Sequence, residues 1–449
     1  MNSRRKGAKA QRSIGRKEQR DNKEKLFARF VLCALCVFAT NDHIKSSAAA
    51  EGWELGGHIK YQYGYDDYRP DDIHAVLGDD PANDHAADLR LKAENRAGPW
   101  DLAAHYELLA LSGDTLAARL RIAAAGLLGS GTATGLPDDR RRLFDLTHEI
   151  TDRDREAAVQ RLDRLSVGYG AGGGTLRFGR QVVSWGNGLV FHPLDFVNPF
   201  APTAIDKDYK TGDDMLYGQM VVGADGEVQA IILPRRDPAT RDVEGDQGTY
   251  AAKLRARRAG FDLDFIAARH YDENLIGFGL VRSVGGAVWR LDAGQANLGD
   301  GGHAASFVTN LDYSWAWGGR NVYGYVEYFR NGVGEAERAR YPAPNAALSA
   351  RIARGELYTL ARDYAALGLQ IELSPLVNLY ANLIRNLNDA SAFLQLRGVY
   401  DWMQNTQLMA GVGLPAGARG TEFGGVPAPG TGAYSAAGRS VYLRAAHYF

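Results

Sequence analysis

Residues 249–265 read Thr-Tyr-Ala-Ala-Lys-Leu-Arg-Ala-Arg-Arg-Ala-Gly-Phe-Asp-Leu-Asp-Phe, and apolar and charged side chains alternate on both sides of the Ala-Gly pair. Strict alternation with a period of two places the two kinds of side chain on opposite faces of a β-strand. A two-residue turn at the Ala-Gly pair joins two such strands and sets Arg257 opposite Asp262. Two positions further from the turn, Arg255 lies opposite Asp264. The stretch therefore predicts an antiparallel hairpin with one apolar and one charged face.

The same alternation recurs along most of the chain. The segments that share it are 54–65, 89–96, 100–111, 163–170, 176–185, 216–224, 227–233, 274–283, 287–292, 307–315, 321–330, 364–373, 377–386, 392–401, 407–414 and 440–449. Short Gly- and Pro-containing turns join many of them. Long polar connections join the others, at 66–86, 186–214, 235–248, 293–304, 331–362 and 415–438.

This alternation of short and long connections along the chain is typical of an outer-membrane β-barrel, which has short periplasmic turns and long external loops. We therefore expect an all-β chain that forms a single transmembrane antiparallel β-barrel of about 18 strands, in a range of about 16–20. Residues 112–159 leave the count open. They form either one long loop, which gives 18 strands, or include two more strands at 115–124 and 139–148, which give 20. We favour 18.

The formal charge of the 449-residue chain is −1, and this average hides a basic N-terminus. Residues 1–50 hold twelve Lys and Arg against four acids, then an apolar run at 30–39 and small residues at 46–50. A basic region, a short apolar region and small residues in this order predict a cleaved secretory signal peptide. The barrel then spans 51–449, with a charge of −9 and no cysteine, because Cys33 and Cys36 both lie in the leader.

Several classes of function do not fit this composition. A near-neutral chain lacks the basic surplus of a nucleic-acid-binding protein. Two cysteines build neither a disulfide framework nor a tetrahedral zinc site, and the histidines lack metal-ligand spacing. We therefore expect no nucleic acid, metal or cofactor. Ser184, His192 and Asp195 are the nearest approach to a catalytic triad, but neighbours on one strand and loop seldom form one, so we expect no enzyme.

The last strand carries a resemblance to a known class of protein. Val441, Leu443, Ala445, His447 and Phe449 fall on one face, and Phe449 is the terminal residue. This segment resembles the terminal recognition strand of Gram-negative outer-membrane proteins, although that class often has an aromatic residue where His447 stands. The resemblance implies that the barrel-assembly machinery reads Tyr448 and Phe449, and that the protein lies in the outer membrane and its lipid bilayer.

A second resemblance covers about forty residues. A strand that ends in Gly-x-Gly at 186–188 leads into an apolar loop rich in Pro and Asn at 191–200. This segment resembles porin-like barrels, among them alginate-export and hydrophobic-compound channels. The resemblance implies a channel for passive or facilitated passage of small solutes, and it is compatible with a homotrimer, but it specifies no solute. A non-conducting or gated barrel in an export or docking complex is the alternative.

The connection at 186–214 is too apolar to extend into water, because each fully buried apolar side chain contributes roughly 1.5–3 kcal/mol. We therefore expect it to fold into the barrel and constrict the pore. The predicted constriction residues are Phe191, Asp195, Phe200, Asp206, Lys207, Asp208, Lys210, Asp213 and Asp214. The predicted pore-lining residues are Arg90, Lys92, Arg96, Arg177, Lys253, Arg255, Arg257, Asp262 and Asp264. An acidic loop opposite a basic wall would orient polar solutes, unless these charges pair with one another or with water.

Overall fold

A computed structural model describes residues 52–127, 134–299 and 301–449 of the chain. The predicted signal peptide at 1–50 lies outside the described residues and stays a prediction. In the described part, no helix is long and apolar enough to cross a membrane.

Strands make up most of the described chain. They are β1 Trp53–Asp67, β2 Ala82–Ala97, β3 Trp100–Gly113, β4 Thr147–Arg153, β5 Glu156–Ala171, β6 Gly174–Gln181, β7 Asp213–Val222, β8 Gly226–Arg236, β9 Val243–Arg258, β10 Phe261–His270, β11 Glu273–Val284, β12 Ala287–Asn297, β13 His303–Trp317, β14 Arg320–Arg330, β15 Asp363–Ser374, β16 Val377–Asn386, β17 Ala392–Met403, β18 Thr406–Ala416, β19 Val426–Pro427, β20 Tyr434–Ser435 and β21 Arg439–Tyr448. The helices are α1 Ile73–Leu77, α2 Asp114–Ala124 and α3 Ala346–Ala353, with a 3₁₀ turn at Arg338–Arg340.

Antiparallel pairing closes these strands into a barrel. Each wall strand pairs with the next along the chain, and β1 pairs with both β2 and β21. Strand β4 pairs with β5 alone, while β3 passes directly to β5, and β19 and β20 form a separate two-stranded sheet in a loop. The closed wall therefore has 18 strands, which confirms the favoured count. The hairpin at residues 249–265 also has the predicted register, with Asp262 opposite Arg257 and Asp264 opposite Arg255.

The alternative of two more wall strands within 112–159 is wrong. Residues 114–124 form helix α2, because Leu116 and Leu120 are four residues apart and both pack against Ala157 and Val159 of β5. No strand covers 139–146, and β4 begins only at Thr147.

The two ends of the barrel differ as predicted. Eight short connections lie at one end, at 98–99, 172–173, 223–225, 259–260, 285–286, 318–319, 375–376 and 404–405. The longest connections lie at the other end, at 68–81, 114–155, 182–212, 331–362 and 417–438. Two predicted long connections are shorter, at 237–242 and 298–302, because their strands extend further than the alternation indicated.

The two faces of the wall have opposite chemistry. Large apolar side chains that are exposed include Leu55, Leu102, Leu176, Ile232, Phe265, Ile276, Leu311, Val326, Leu367, Leu396 and Leu443. Charged or polar side chains that are buried include His58, Lys60, Arg90, Glu107, Arg161, Lys253, Asp264, Asp292, Asn310, Glu327 and Arg444. An apolar outer face on a closed barrel with an even number of strands is that of a membrane-spanning barrel of the outer-membrane type.

Aromatic side chains occur on both faces of the wall. Trp315 and Trp317 are exposed beside the short turn at 318–319, where an outer-membrane barrel has an aromatic girdle. Tyr323 and Tyr325 border an internal cavity, because they share the inward face of β14 with Glu327.

Candidate functional site: the loop inside the barrel

The connection between β6 and β7, residues 182–212, lies inside the barrel and is called the inner loop below. Its contacts follow the order of the wall strands. Trp185 Nε1 donates to Gln229 on β8 at 2.7 Å, and Asn187 Nδ2 donates to Asp292 on β12 at 2.7 Å. The carbonyl of Ile205 accepts from Arg397 on β17 at 3.3 Å.

The second half of the inner loop continues past the seam where β21 meets β1. Asp206 contacts Lys60 on β1 and Arg444 on β21, and Tyr209 contacts Lys92 on β2. The loop therefore makes a circuit of the inner wall from β6 back to β7. The predicted inward folding is confirmed.

A single carboxylate fixes the first part of the inner loop. Glu327 on β14 is 1% exposed and accepts the backbone N–H groups of Leu189, Val190 and Phe191 at 2.6, 3.0 and 2.8 Å. The amide of Asn310 on β13 donates to the same carboxylate at 3.0 Å. Successive backbone N–H groups that converge on one point form an anion-binding nest. Here the anion belongs to the wall, so the nest attaches the loop to β14.

Apolar side chains of the inner loop fill the space beside this attachment. Leu194 is fully buried, and Val197 and Phe196 pack with Trp185 in one cluster against β7–β11. Phe191 stacks on Phe329 of β14 with 4.6 Å between ring centroids. Their burial accounts for the inward course of the loop.

Within the inner loop, the buried Lys210 connects the end of the loop with its middle and with its start. Lys210 Nζ donates to both oxygens of Asp195 at 2.6 and 2.7 Å and to the carbonyl of Val183 at 2.7 Å. Burial raises the pKa of Asp195 to about 6, although Lys210 opposes that shift. Both residues were predicted constriction residues. Their contacts are within the loop, so they stabilise its shape.

The tip of the inner loop, Asp206-Lys207-Asp208, reaches the seam of the barrel. Lys60 Nζ donates to Asp206 at 2.9 Å and to Asp208 at 2.6 Å. Tyr448 also donates to Asp208, at 2.7 Å. The two loop acids are thus neutralised by two wall cations, Lys60 and Arg444, that the sequence did not single out.

Next to the tip, a cluster of charges on β2, β3 and β5 holds the loop. The Arg90 guanidinium lies 4.3 Å from the ring centroid of Tyr209 and donates to Asp163 at 2.9 Å. Arg90 also pairs with Glu107, and Lys92 donates to the Tyr209 hydroxyl at 2.7 Å. The predicted wall cations Arg90 and Lys92 therefore meet the loop, but through Tyr209 and not through its acids.

Most of the other predicted pore-lining residues form ion pairs along the wall, and Lys253 and Arg96 have other surroundings. Arg177 donates to Asp101 at 2.9 Å, Arg255 to Asp264 at 2.8 Å and Arg257 to Asp262 at 2.7 Å. Lys253 is buried 5.6 Å from the Trp185 ring, and Arg96 is exposed near the short-turn end.

Two of the predicted constriction residues lie in a strand instead of the loop. Asp213 and Asp214 are the first residues of β7, because the strand starts two residues before the predicted loop ends. Asp213 pairs with Arg235 and Asp214 with Arg180. Phe200 remains in the inner loop and is half-buried.

The last strand divides its residues between the two faces. Phe449 lies on the outer side beside Gly57, and its backbone exchanges two hydrogen bonds with Gly57 at 2.8 and 3.1 Å. Tyr448 faces inward to Asp208. The predicted assembly residues therefore also close the barrel and hold the loop tip.

The residues that come closest to a catalytic triad in sequence do not form one. Ser184 and Asp195 both contact Lys210. Within the described part of the chain, His192 makes no hydrogen bond to either of them.

Four residues that sequence reasoning missed have central contacts with the loop. They are Lys60, Glu327, Arg397 and Arg444. Each stands at an inward position of an alternating strand, which is the only signal that could have drawn attention to it.

No family model and no curated protein matches this sequence. The solved structure of OccAB1 from Acinetobacter baumannii has a TM-score of 0.49 and 10% identity, with 90% of this chain and 99% of that chain covered. OccK5 (OpdH) from Pseudomonas aeruginosa has a TM-score of 0.49 and 9% identity, over 89% and 98% of the chains.

A third solved structure is Wzi from Escherichia coli, described as an outer-membrane, carbohydrate-binding β-barrel involved in group 1 capsule assembly. It has a TM-score of 0.48 and 11% identity, over 88% of this chain and 84% of that one. Likenesses at this level of identity and TM-score say nothing about which solute this chain handles.

Proposed function

We propose that the chain is an outer-membrane channel for small solutes, and that the inner loop sets the size of its opening. The observation that carries this proposal is the circuit of the loop around the inner wall, from Gln229 on β8 to Lys92 on β2. Barrels of about 16–18 strands otherwise leave a wide aqueous lumen. A loop attached all round the wall narrows that lumen.

The charges at the loop tip support a preference for anions. Lys60 and Arg444 neutralise Asp206 and Asp208, which leaves Lys207 unpaired among the described residues. An unpaired positive charge at a constriction favours anions.

Planar-bilayer recording of the purified protein tests the proposal. We expect discrete conductance steps in potassium chloride and a reversal potential that indicates anion preference in a salt gradient. A barrel that inserts but carries no current would overturn the proposal and favour a docking or export barrel.

The predicted pore-lining residues belong to the same proposal. Arg255 and Arg257 each neutralise an aspartate on β10. Replacing both with Gln leaves Asp264 and Asp262 without partners, so selectivity should move toward cations. An unchanged reversal potential would remove these residues from the conducting path.

The proposal also covers the export of the chain and the assembly of its barrel. The leader is removed after Ala50, and intact-mass measurement of the membrane-embedded protein tests this. The barrel-assembly machinery reads the last strand, so deletion of Phe449 should lower the yield of folded barrel. A homotrimer stays a prediction that native mass spectrometry tests.

A further inference from the structure

A cavity of about 420 Å³ lies between the inner loop and the wall formed by β14–β18 and β21. Small-molecule sites in proteins have volumes of roughly 300–1,000 Å³ and carry a few polar groups that fix the orientation of the ligand. The cavity holds two cations that lack carboxylate partners, together with phenol and amide groups.

Lys207 is the first of these cations. It lies at the loop tip and lines the cavity, and it makes no hydrogen bond or ion pair with any residue in the described ranges. Its neighbours Asp206 and Asp208 are held by Lys60, so neither neutralises it. The Lys207 ammonium group is therefore available to an anion in the cavity.

Arg397 on β17 is the second cation. Its guanidinium lies 4.4 Å from the ring centroid of Tyr380, and one Nη donates to the carbonyl of Ile205 at 3.3 Å. Its Nε is buried and has no acceptor among the described residues, and no carboxylate there pairs with it. A buried donor without an acceptor destabilises a protein. A bound oxyanion would supply that acceptor.

Neutral polar groups surround the two cations. The Tyr325 hydroxyl donates to Asn382 Oδ1 at 3.0 Å, which leaves the Asn382 amide hydrogens free to donate. The cavity is also lined by Gln395 and by Tyr380, whose ring Arg397 holds in place. Amide and phenol groups hydrogen-bond to hydroxyls, and the aromatic rings offer apolar faces.

The local charge balance is positive. The charged side chains at the cavity and the loop tip are Lys60, Lys207, Arg397, Arg444, Asp206 and Asp208, and the Glu327 carboxylate on β14 is close enough to attract Lys207. The four cations exceed the three anions by one, so an anionic ligand is favoured over a neutral or cationic one.

We propose that this cavity is a binding subsite for a small molecule that carries an oxyanion on a hydroxylated ring, such as a phosphorylated or carboxylated monosaccharide. Lys207 and Arg397 bind the oxyanion, and Asn382 and Tyr380 bind the ring. The inference rests on the proposed channel function, which brings such a solute to the cavity.

Isothermal titration of the purified, detergent-solubilised protein tests the subsite. The probes are glucose 6-phosphate, glucuronate, glucose and benzoate. We expect at least one of the two anionic sugars to bind about tenfold or more tightly than glucose, because charge-assisted hydrogen bonds are the stronger ones. Which of the two binds better distinguishes phosphate from carboxylate. Benzoate should bind more weakly, since it has no ring hydroxyls.

Variants locate the binding. Lys207→Met and Arg397→Gln should each weaken binding of the preferred sugar by about tenfold, and Lys207→Arg should restore it. The matched control is Arg338→Gln, which removes one exposed positive charge from the 3₁₀ turn in the loop 331–362, away from the cavity, and should leave binding unchanged. Binding that is equal for glucose and the anionic sugars, or unaffected by Lys207→Met, overturns the inference.

Conductance of the same samples separates the two proposals. Conductance with no preference for the anionic sugars overturns the subsite and retains the channel. Specific binding by a barrel that carries no current overturns the channel and retains the subsite.

Discussion

Replacing Glu327 with Gln tests whether one carboxylate attaches the first part of the inner loop to the wall. One carboxylate oxygen accepts from Val190 and Phe191, and the other accepts from Leu189 and Asn310. Glutamine has one side-chain oxygen, which can still accept from Val190 and Phe191. Its amide nitrogen then faces the donors of Leu189 and Asn310 and cannot accept from them. Two buried donors then lose their acceptor, at a cost of about 1–3 kcal/mol each.

The attachment is therefore weakened by about 2–6 kcal/mol, taking the cost of both donors together. Since 1.4 kcal/mol corresponds to about a factor of ten, the loop should open locally at least about 30 times more often. Hydrogen–deuterium exchange read by mass spectrometry on peptides that cover 187–196 measures this opening. We expect exchange there to accelerate by at least that factor, while exchange in β14 changes little.

Glu372→Gln is the matched control, because Glu372 accepts only the exposed amide of Asn321 near the short-turn end. It makes the same chemical change on a neighbouring strand and should leave exchange at 187–196 as in the unaltered protein. If Glu327→Gln also leaves the exchange at 187–196 unaltered, the carboxylate does not hold the loop.

Three further changes have expected outcomes. Gly57→Ala puts a methyl group 2.2 Å from a backbone oxygen of β2 and 2.8 Å from the Phe449 ring at the closing seam, so β1 should pair poorly with both neighbours and heat-modifiability on gels should show less folded barrel. Arg180→Met leaves Asp214 buried without its partner, which should destabilise the barrel by about 3–5 kcal/mol in urea unfolding. Burial raises the pKa of Glu422 to about 7, so its contribution to stability is present at low pH and lost as pH rises through 7. Protection factors of 417–438, which are corrected for the intrinsic pH dependence of amide exchange, should be lower at pH 8 than at pH 6, and Glu422→Gln should abolish the difference; a loss of protection that persists in that variant contradicts the assignment.

Much of the fold could be predicted because strand alternation is a local signal. The pairs Arg257–Asp262 and Arg255–Asp264 were predictable from a two-residue turn, since partners within one hairpin are close in sequence. Helix α2 was harder to predict from sequence. Its apolar residues are compatible with the period of a strand and with that of a helix until the packing partner on β5 is known.

The site was less predictable because its partners are far apart in sequence. Lys60 meets Asp206 across 146 positions, and Glu327 meets Val190 across 137. In sequence, both are ordinary charged residues on the inward face of a strand. Their importance depends on where the loop lies after the barrel has closed, which alternation does not specify.

The proposed function requires that the tip of the inner loop borders the conducting path. Both cysteines of the chain precede residue 50, so Lys207→Cys places a single thiol in the barrel region. Single-channel recording during addition of a bulky methanethiosulfonate reagent is the most direct measurement, with Thr431→Cys in the external loop 417–438 as control. We expect a stepwise fall in conductance for position 207 and none for position 431. Complete labelling of position 207, shown by mass spectrometry, with an unchanged current would contradict it.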